Sequence, residues 1–194
     1  LNNIIQEILK SKHKLYLSLT GGGTKCISLL LENGGASSVF LGASIPYCEE
    51  DLRWNIGPYS KAVSRQVAEK MSYGCISKSV CDSLEGEDRI ISIGVTASLA
   101  KAGKEREDRV HEAYICIHEI KEHTIKEPEN KIKILKEFHI TFSHRARLDE
   151  ETALANTILF LANSEMNLTK SHILTHKPSQ KLAGLLPTDK LELL

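Results

Sequence analysis

Leu15-Tyr16-Leu17-Ser18-Leu19-Thr20-Gly21-Gly22-Gly23-Thr24-Lys25-Cys26-Ile27-Ser28-Leu29-Leu30-Leu31 is the stretch on which the fold turns. It opens as an apolar, strand-like run, passes through three glycines with a hydroxyl at each end, and continues as a helix-like run. A strand that turns through glycines into a helix leaves backbone N–H groups unpaired at the helix start, beside the positive end of its dipole. Such donors suit a phosphate or a carboxylate, and glycines let the backbone approach the anion closely. Neither the dinucleotide fingerprint nor the P-loop spacing is met, since no Lys-Ser/Thr pair closes the run. Two readings stand side by side: an anion site built from Gly21, Gly22, Gly23 and Thr24, and a tight structural turn.

Working outward, Asn3 to Lys10 carries Ile4, Ile5, Ile8 and Leu9, the stripe of an amphipathic helix. Glu32 to Ser38 reads as a helix stop and loop, Val39 to Tyr47 as a strand, and Asp51 to Ile56 as a short helix closed by Gly57-Pro58. A longer helix is expected from about Ser60, with Val63, Val67, Ala68, Met71 and Cys75 on its buried face. Arg89 to Thr96 reads as a buried strand, and Lys101 to Arg109 as a charged loop. His111–Lys121 and Lys133–Phe142 alternate as an antiparallel pair around Pro128-Glu129-Asn130. Asp149 to Ala162 reads as the final helix, with Asp149 at its N-cap. From about Asn163 no clear period is legible, although Leu182-Ala183-Gly184-Leu185-Leu186-Pro187 calls for cover. The expected class is α/β, a three-layer α/β/α sandwich with a mixed central sheet. Residues 1–165 form the domain and 166–194 a tail or linker.

The 194 residues balance 25 basic against 25 acidic side chains, so no global basic field is present to hold nucleic acid. Aromatic residues, at 5%, are too few for a stacking platform along a strand of bases. No apolar run reaches the length of a membrane span. The five cysteines have no CxxC spacing, which points to a reducing, cytoplasmic compartment without disulfides or a zinc site. His172 and His176 have i, i+4 spacing, but nothing completes a ligand set, and no metal or cofactor is expected. The opening Leu1-Asn2-Asn3, without Met, reads as a fragment of a longer chain.

In α/β sheets ligands gather at the carboxyl ends of strands. Three polar turns fall at such ends: Thr20–Thr24, Thr96-Ala97-Ser98 and Ser143-His144-Arg145. Converging, they would offer hydroxyls, backbone donors and one guanidinium suited to bidentate capture of phosphate. The alternative for Arg145 is a surface arginine that caps a helix.

The order of these turns, with Gly35-Ala36-Ser37-Ser38-Val39-Phe40 and Ile45-Pro46-Tyr47 between them, resembles the CinA C-terminal domain family over roughly Asn3 to Ala162. Its bacterial members include nicotinamide-mononucleotide deamidases, which hydrolyse the carboxamide to nicotinate mononucleotide and ammonia. The resemblance puts Thr20 at the family's nucleophilic serine, Tyr47 at the tyrosine of its Thr-Tyr-Ser-Asn motif, Thr96 at the threonine of Val-Thr-Gly, and Arg145 at the arginine of Gly-Asp-Arg. Three positions depart from the family pattern. The lysine five residues past the tyrosine, taken to activate the serine, is Leu52 here; the glutamate before the nucleophile is Leu19; the aspartate before the arginine is His144. Leu15-Tyr16-Leu17, with Thr20-Gly21-Gly22 and Pro46-Tyr47, looks closer to a eukaryotic branch in which a CinA-like half precedes a cytidylyltransferase-like half.

An alcohol is a poor nucleophile without an adjacent base, and a positioned base is worth roughly 10²–10⁴-fold in rate. Leu52 supplies none, and the neighbouring Arg53 guanidinium is never deprotonated. Lys61, His144 and Cys48 are the candidate substitutes. The resemblance therefore implies first a CinA-like domain without turnover. It would bind a phosphate-bearing ligand such as a pyridine mononucleotide through Thr20, Gly21–Thr24, Thr96, Ser98 and Arg145, with Tyr47 beside the ring. A covalently linked nucleotidyltransferase domain and a homo-oligomer are the partners it suggests. The alternatives are an active nicotinamide-nucleotide amidohydrolase using Thr20, and a non-catalytic interaction module.

Overall fold

The computed structural model describes residues 1–79, 89–101, 109–121, 132–167 and 184–194, the side chains of 77–79 and 121 excepted. Pro128–Asn130, the 102–108 part of the charged loop, Cys81, the His172/His176 pair and Leu182-Ala183 lie outside these residues.

Strand β1 (Lys14–Thr20) sits one strand in from an edge of one sheet, and its Leu15, Leu17 and Leu19 point to one face and are fully buried. The glycine turn leads into α2 (Lys25–Leu31), and a 3₁₀ turn at Ala36–Ser38 leads into β2 (Phe40–Ser44), which pairs parallel with β1. On the other side β1 pairs parallel with β3 (Arg89–Ser98). The strands β4 (Glu112–Lys121), β5 (Lys133–Thr141) and β6 (Lys190–Leu193) follow, each antiparallel to its neighbour. The six-stranded order is β2-β1-β3-β4-β5-β6, a mixed sheet in an α/β fold.

Helices α1 (Asn2–Leu9), α2 and α5 (Arg147–Asn167) cover one face. Ile5, Ile8, Leu30, Leu154, Ile158 and Leu159 pack there on the odd-numbered residues of β1 and β3, from Leu15 to Val95. Helices α3 (Glu49–Ile56) and α4 (Arg65–Ser79) lie on the other face. There α4 rests directly on β3 at Gly94, where a Cβ would come within 2.2 Å of the Ala68 carbonyl oxygen and 2.5 Å of the Ser72 nitrogen. Only glycine allows backbone to approach backbone this closely. The result is a layer of helices on each face of the sheet, as expected.

Several boundaries differ from expectation. Strand β2 stops at Ser44 rather than Tyr47, because Pro46 has no N–H to give a ladder. Helix α4 begins at Arg65, not Ser60, and the residues before it form a wall of the cleft described below. Helix α5 begins at Arg147, because the N–H groups of Asp149 and Glu150 both donate to the Ala146 carbonyl. Asp149 therefore sits in the first turn instead of capping it, where its charge still favours the helix dipole. Residues 190–193, to which the sequence pattern assigned no element, pair with β5 and bury Leu191 on the apolar face.

Candidate functional site

At the carboxyl ends of β1 and β3 the polar face opens into a cavity of about 590 Å³. Its floor is made by Thr20 and Gly21 from the end of β1 and by Thr96, Ala97, Ser98 and Leu99 from the end of β3. The outer wall comes from Tyr47, Cys48, Leu52 and Arg53 at α3 and from Tyr59, Ala62 and Val63 before α4. Sequence dictates much of this placement. Gly21 has φ +79°, and a Cβ on it would lie 1.9 Å from the Ala97 carbonyl oxygen, so the two strand ends meet only because this residue is glycine. Helix α3 is fixed by its own terminus: the Cys48 sulfur accepts from the Asp51 N–H, and three acidic residues fill its first turn.

The two threonines on the floor are anchored. Thr20 Oγ1 donates to the Pro46 carbonyl at 2.8 Å, and Thr96 Oγ1 donates to the Ala62 carbonyl at 2.8 Å. Each hydroxyl proton is thus spent on backbone, while each oxygen keeps acceptor capacity. The candidate bases have partners of their own. Lys61 Nζ pairs with Glu112 Oε1 at 3.0 Å. His144 stacks on His111, ring centroids 4.2 Å apart, and His111 in turn meets Glu150 Oε1 at 2.6 Å. Cys48 lines the cavity with its sulfur occupied in the α3 cap.

Among the described residues the cavity is lined by Arg53, Lys101, Arg109 and Arg147 and by one acidic residue, Glu49. Arg53 is compensated, with Nε and Nη2 at 3.1 and 2.7 Å from Glu49 Oε1 and its guanidinium over Tyr59. Arg147 is held differently. It donates to the carbonyls of Ala100 at 3.1 Å and Gly21 at 3.0 Å, tying the end of β1 to the turn after β3, and forms no ion pair among the described residues. Arg109 Nη2 donates to Ser98 Oγ at 3.0 Å and to the Leu99 carbonyl at 3.2 Å.

The glycine turn is arranged for an anion and holds one supplied by the chain itself. Glu151, in the second turn of α5, accepts from Gly23 N–H at 2.7 Å, Lys25 N–H at 3.0 Å and Thr24 Oγ1 at 3.2 Å. The residues expected together therefore divide. Thr20, Gly21, Tyr47, Thr96 and Ser98 share the cavity, and Tyr47 stands at its rim, 69% exposed. Gly22, Gly23 and Thr24 turn away from it: Cβ atoms on Gly22 and Gly23 would meet Leu99 and Ile158 side chains at 2.4 and 2.5 Å. Arg145 does not line it either. Its turn lies at the same end of the sheet, but β4 intervenes between β3 and β5, and Arg145 Nη2 pairs with Asp189 Oδ2 at 2.9 Å. Asp189 also accepts from the Ser143 and Leu186 N–H groups, fastening that turn to the approach of β6.

The sequence reading missed Arg147, Arg109 and Lys101. The signal was present for Arg147, two residues beyond Arg145. Nothing in a one-dimensional pattern shows which arginine of an Arg-x-Arg pair turns toward β1. Among the described residues no cluster of His, Cys, Asp and Glu is arranged to hold a metal ion, and no helix is long and apolar enough to cross a membrane.

No family model matches the sequence, and no curated protein does. Solved structures do match. The competence damage-inducible protein A from Klebsiella pneumoniae superposes with a TM-score of 0.55 at 11% identity, over 88% of this chain and 96% of that one. A competence-damaged protein (CinA) superfamily protein from Escherichia coli gives 0.54 at 14% identity, over 86% and 89%. Another from Klebsiella pneumoniae gives 0.52 at 10% identity, over 84% and 90%. This chain therefore has the fold of the CinA superfamily proteins.

Proposed function

We propose that this chain is a CinA-like domain that binds a small phosphate-bearing ligand, such as a pyridine mononucleotide, in the cavity at the ends of β1 and β3, without using Thr20 as a nucleophile. The observation that carries the reading is the combination of a cavity of about 590 Å³ with uncompensated positive charge at Arg147 and acceptor oxygens at Thr20 and Thr96. That volume lies within the range of small-molecule sites. The Thr20 hydroxyl donates to a carbonyl, and an alcohol so placed has no group to take its proton. Tyr47 at the rim and Tyr59 in the wall supply faces for a planar ring.

The sequence resemblance to the eukaryotic branch adds a covalently linked nucleotidyltransferase domain as a partner, to which this domain would present its ligand. The thiols of Cys26 and Cys116, buried in the core, fit a reducing, cytoplasmic setting. A homo-oligomer belongs to the same proposal, and Trp54, 90% exposed on α3, is a large apolar side chain available to such an interface.

Calorimetric titration with nicotinamide mononucleotide and nicotinate mononucleotide, with ammonia release assayed in parallel, tests the reading. Saturable binding without ammonia is the expected result. Ammonia release lost in Thr20→Ala would establish an amidohydrolase and overturn it. Absence of binding by either mononucleotide would shift the weight to an interaction module.

A further inference from the structure

We infer that the hydroxyl oxygens of Thr20 and Thr96 act on the cavity floor as a pair of acceptors, which takes a neutral ligand group bearing two hydrogen-bond donors and turns carboxylate and phosphate oxygens away. A sugar's vicinal diol and a primary carboxamide share that chemistry. The pair belongs to the ligand site proposed above, rests on that reading, and assigns one part of the ligand within it.

The first observation is where the two protons go. Thr20 Oγ1 donates to the Pro46 carbonyl and Thr96 Oγ1 to the Ala62 carbonyl, each at 2.8 Å. A carbonyl can only accept, so the direction of both bonds is fixed. A hydroxyl has one proton and two lone pairs, and each threonine is left with acceptor capacity alone for a ligand. To donate to a ligand oxygen instead, either hydroxyl would have to abandon its backbone carbonyl, and the bond from Thr20 to Pro46 is buried. A buried carbonyl left without a partner bears the full desolvation cost of the group, which opposes the exchange.

The second observation is where the two oxygens stand. Thr20 and Thr96 are register partners on adjacent parallel strands and line the same cavity. Neighbouring strands run about 4.8 Å apart, so one small ligand group can address both oxygens. Their two bonds also reach different walls, since Pro46 leads into α3 and Ala62 into α4. A donor from the ligand polarises the hydroxyl that receives it and strengthens the bond which that hydroxyl gives. Occupancy of the pair thereby tightens the anchoring of both walls. With the ring against Tyr47 and Tyr59, the sugar falls to the floor, and its diol is the expected occupant.

The test titrates three probes calorimetrically into the chain: nicotinamide mononucleotide, its 2′,3′-dideoxy analogue, and nicotinate mononucleotide. Loss of the two hydroxyls is expected to weaken binding about tenfold, the worth of two ordinary hydrogen bonds, while the nicotinate compound binds as the nicotinamide one does. A tenfold loss for the nicotinate compound, with none for the dideoxy analogue, would sustain the pair and put the carboxamide on it. The double variant Thr20→Val with Thr96→Val keeps the shape and removes both oxygens, and in it the discrimination should disappear. In Thr20→Ser with Thr96→Ser it should persist. Should the valine variant fail to fold, the serine variant and the probe series on the unaltered chain still decide. Equal affinity for all three probes, or discrimination that survives the valine variant, would overturn the pair while leaving the binding reading intact. No binding of any probe would remove both.

Discussion

On the face covered by α1, α2 and α5 the sheet presents Leu15, Leu17, Leu19, Ile91, Ile93 and Val95, all fully buried, whereas the alternate positions under α3 and α4 are Ser18, Thr20, Ser92, Gly94 and Thr96. The first face is held by non-directional burial, and its residues could trade volume among themselves at modest cost. The second is held by named contacts: Ser92 Oγ to the Ser72 carbonyl at 2.6 Å, Thr96 to Ala62, Thr20 to Pro46, and Ser18 Oγ to Ser44 Oγ at 2.9 Å. The larger apolar cluster lies on the first face, with smaller ones under α3 and α4, and the polar contacts of the second face fix the positions of the cavity walls.

Three measurements would break or sharpen this contrast. The largest effect belongs to Gly94→Val, which drives a branched side chain into the Ala68 and Ser72 backbone. We expect it to cost more than about 4 kcal/mol by urea denaturation. A normal midpoint would mean that α4 does not rest on β3. Next comes Ile93→Ala on the apolar face, which should cost ~2–5 kcal/mol through the cavity it leaves. A loss below ~1 kcal/mol would show that this face is not the main store of stability.

The smallest effect is a pH dependence confined to the polar face. His118, buried and hydrogen-bonded through Nδ1 to Ser72 Oγ at 2.6 Å, is pushed down by burial to a pKa of about 4, with Glu137 partly opposing the shift. Below its unfolded value near 6.5, the unfolded chain binds a proton that the folded one resists. Stability therefore falls as the pH drops from about 6.5 toward 4, by up to roughly 3 kcal/mol. His118→Gln should flatten that slope. The same slope in the variant would assign it to other groups, such as Glu112. Burial raises that carboxyl, but hydrogen bonds from Lys61 and His139 outweigh burial and hold its pKa below the usual carboxylate value.

The same contrast explains what the sequence made legible. Apolar alternation announces the buried face, so β1, β3, the β4–β5 pair and most of α5 can be read from their patterns. Strand β6 has only four residues, too few for a period to stand out. On the polar face the pattern locates hydroxyls at strand ends, and Thr20, Thr96 and Ser98 do share the cavity. It does not reveal which charge meets which partner. Arg145 and Arg147 are equivalent in one dimension, yet one is tied to Asp189 and the other reaches Gly21. The glycine run correctly signals convergent donors, but the anion that fills them is encoded 126–128 residues later.

That separation bears on how the chain folds. Five consecutive residues, Thr20 to Thr24, look like a local motif able to form early, yet the group that closes it arrives only with α5. The turn is kinetically a high-contact-order element: ordering it requires closure of most of the chain, and that entropy must be spent before the contact repays it. Closure of the turn by Glu151 therefore requires α5 to be docked, and until then the donors of the turn are available to solvent.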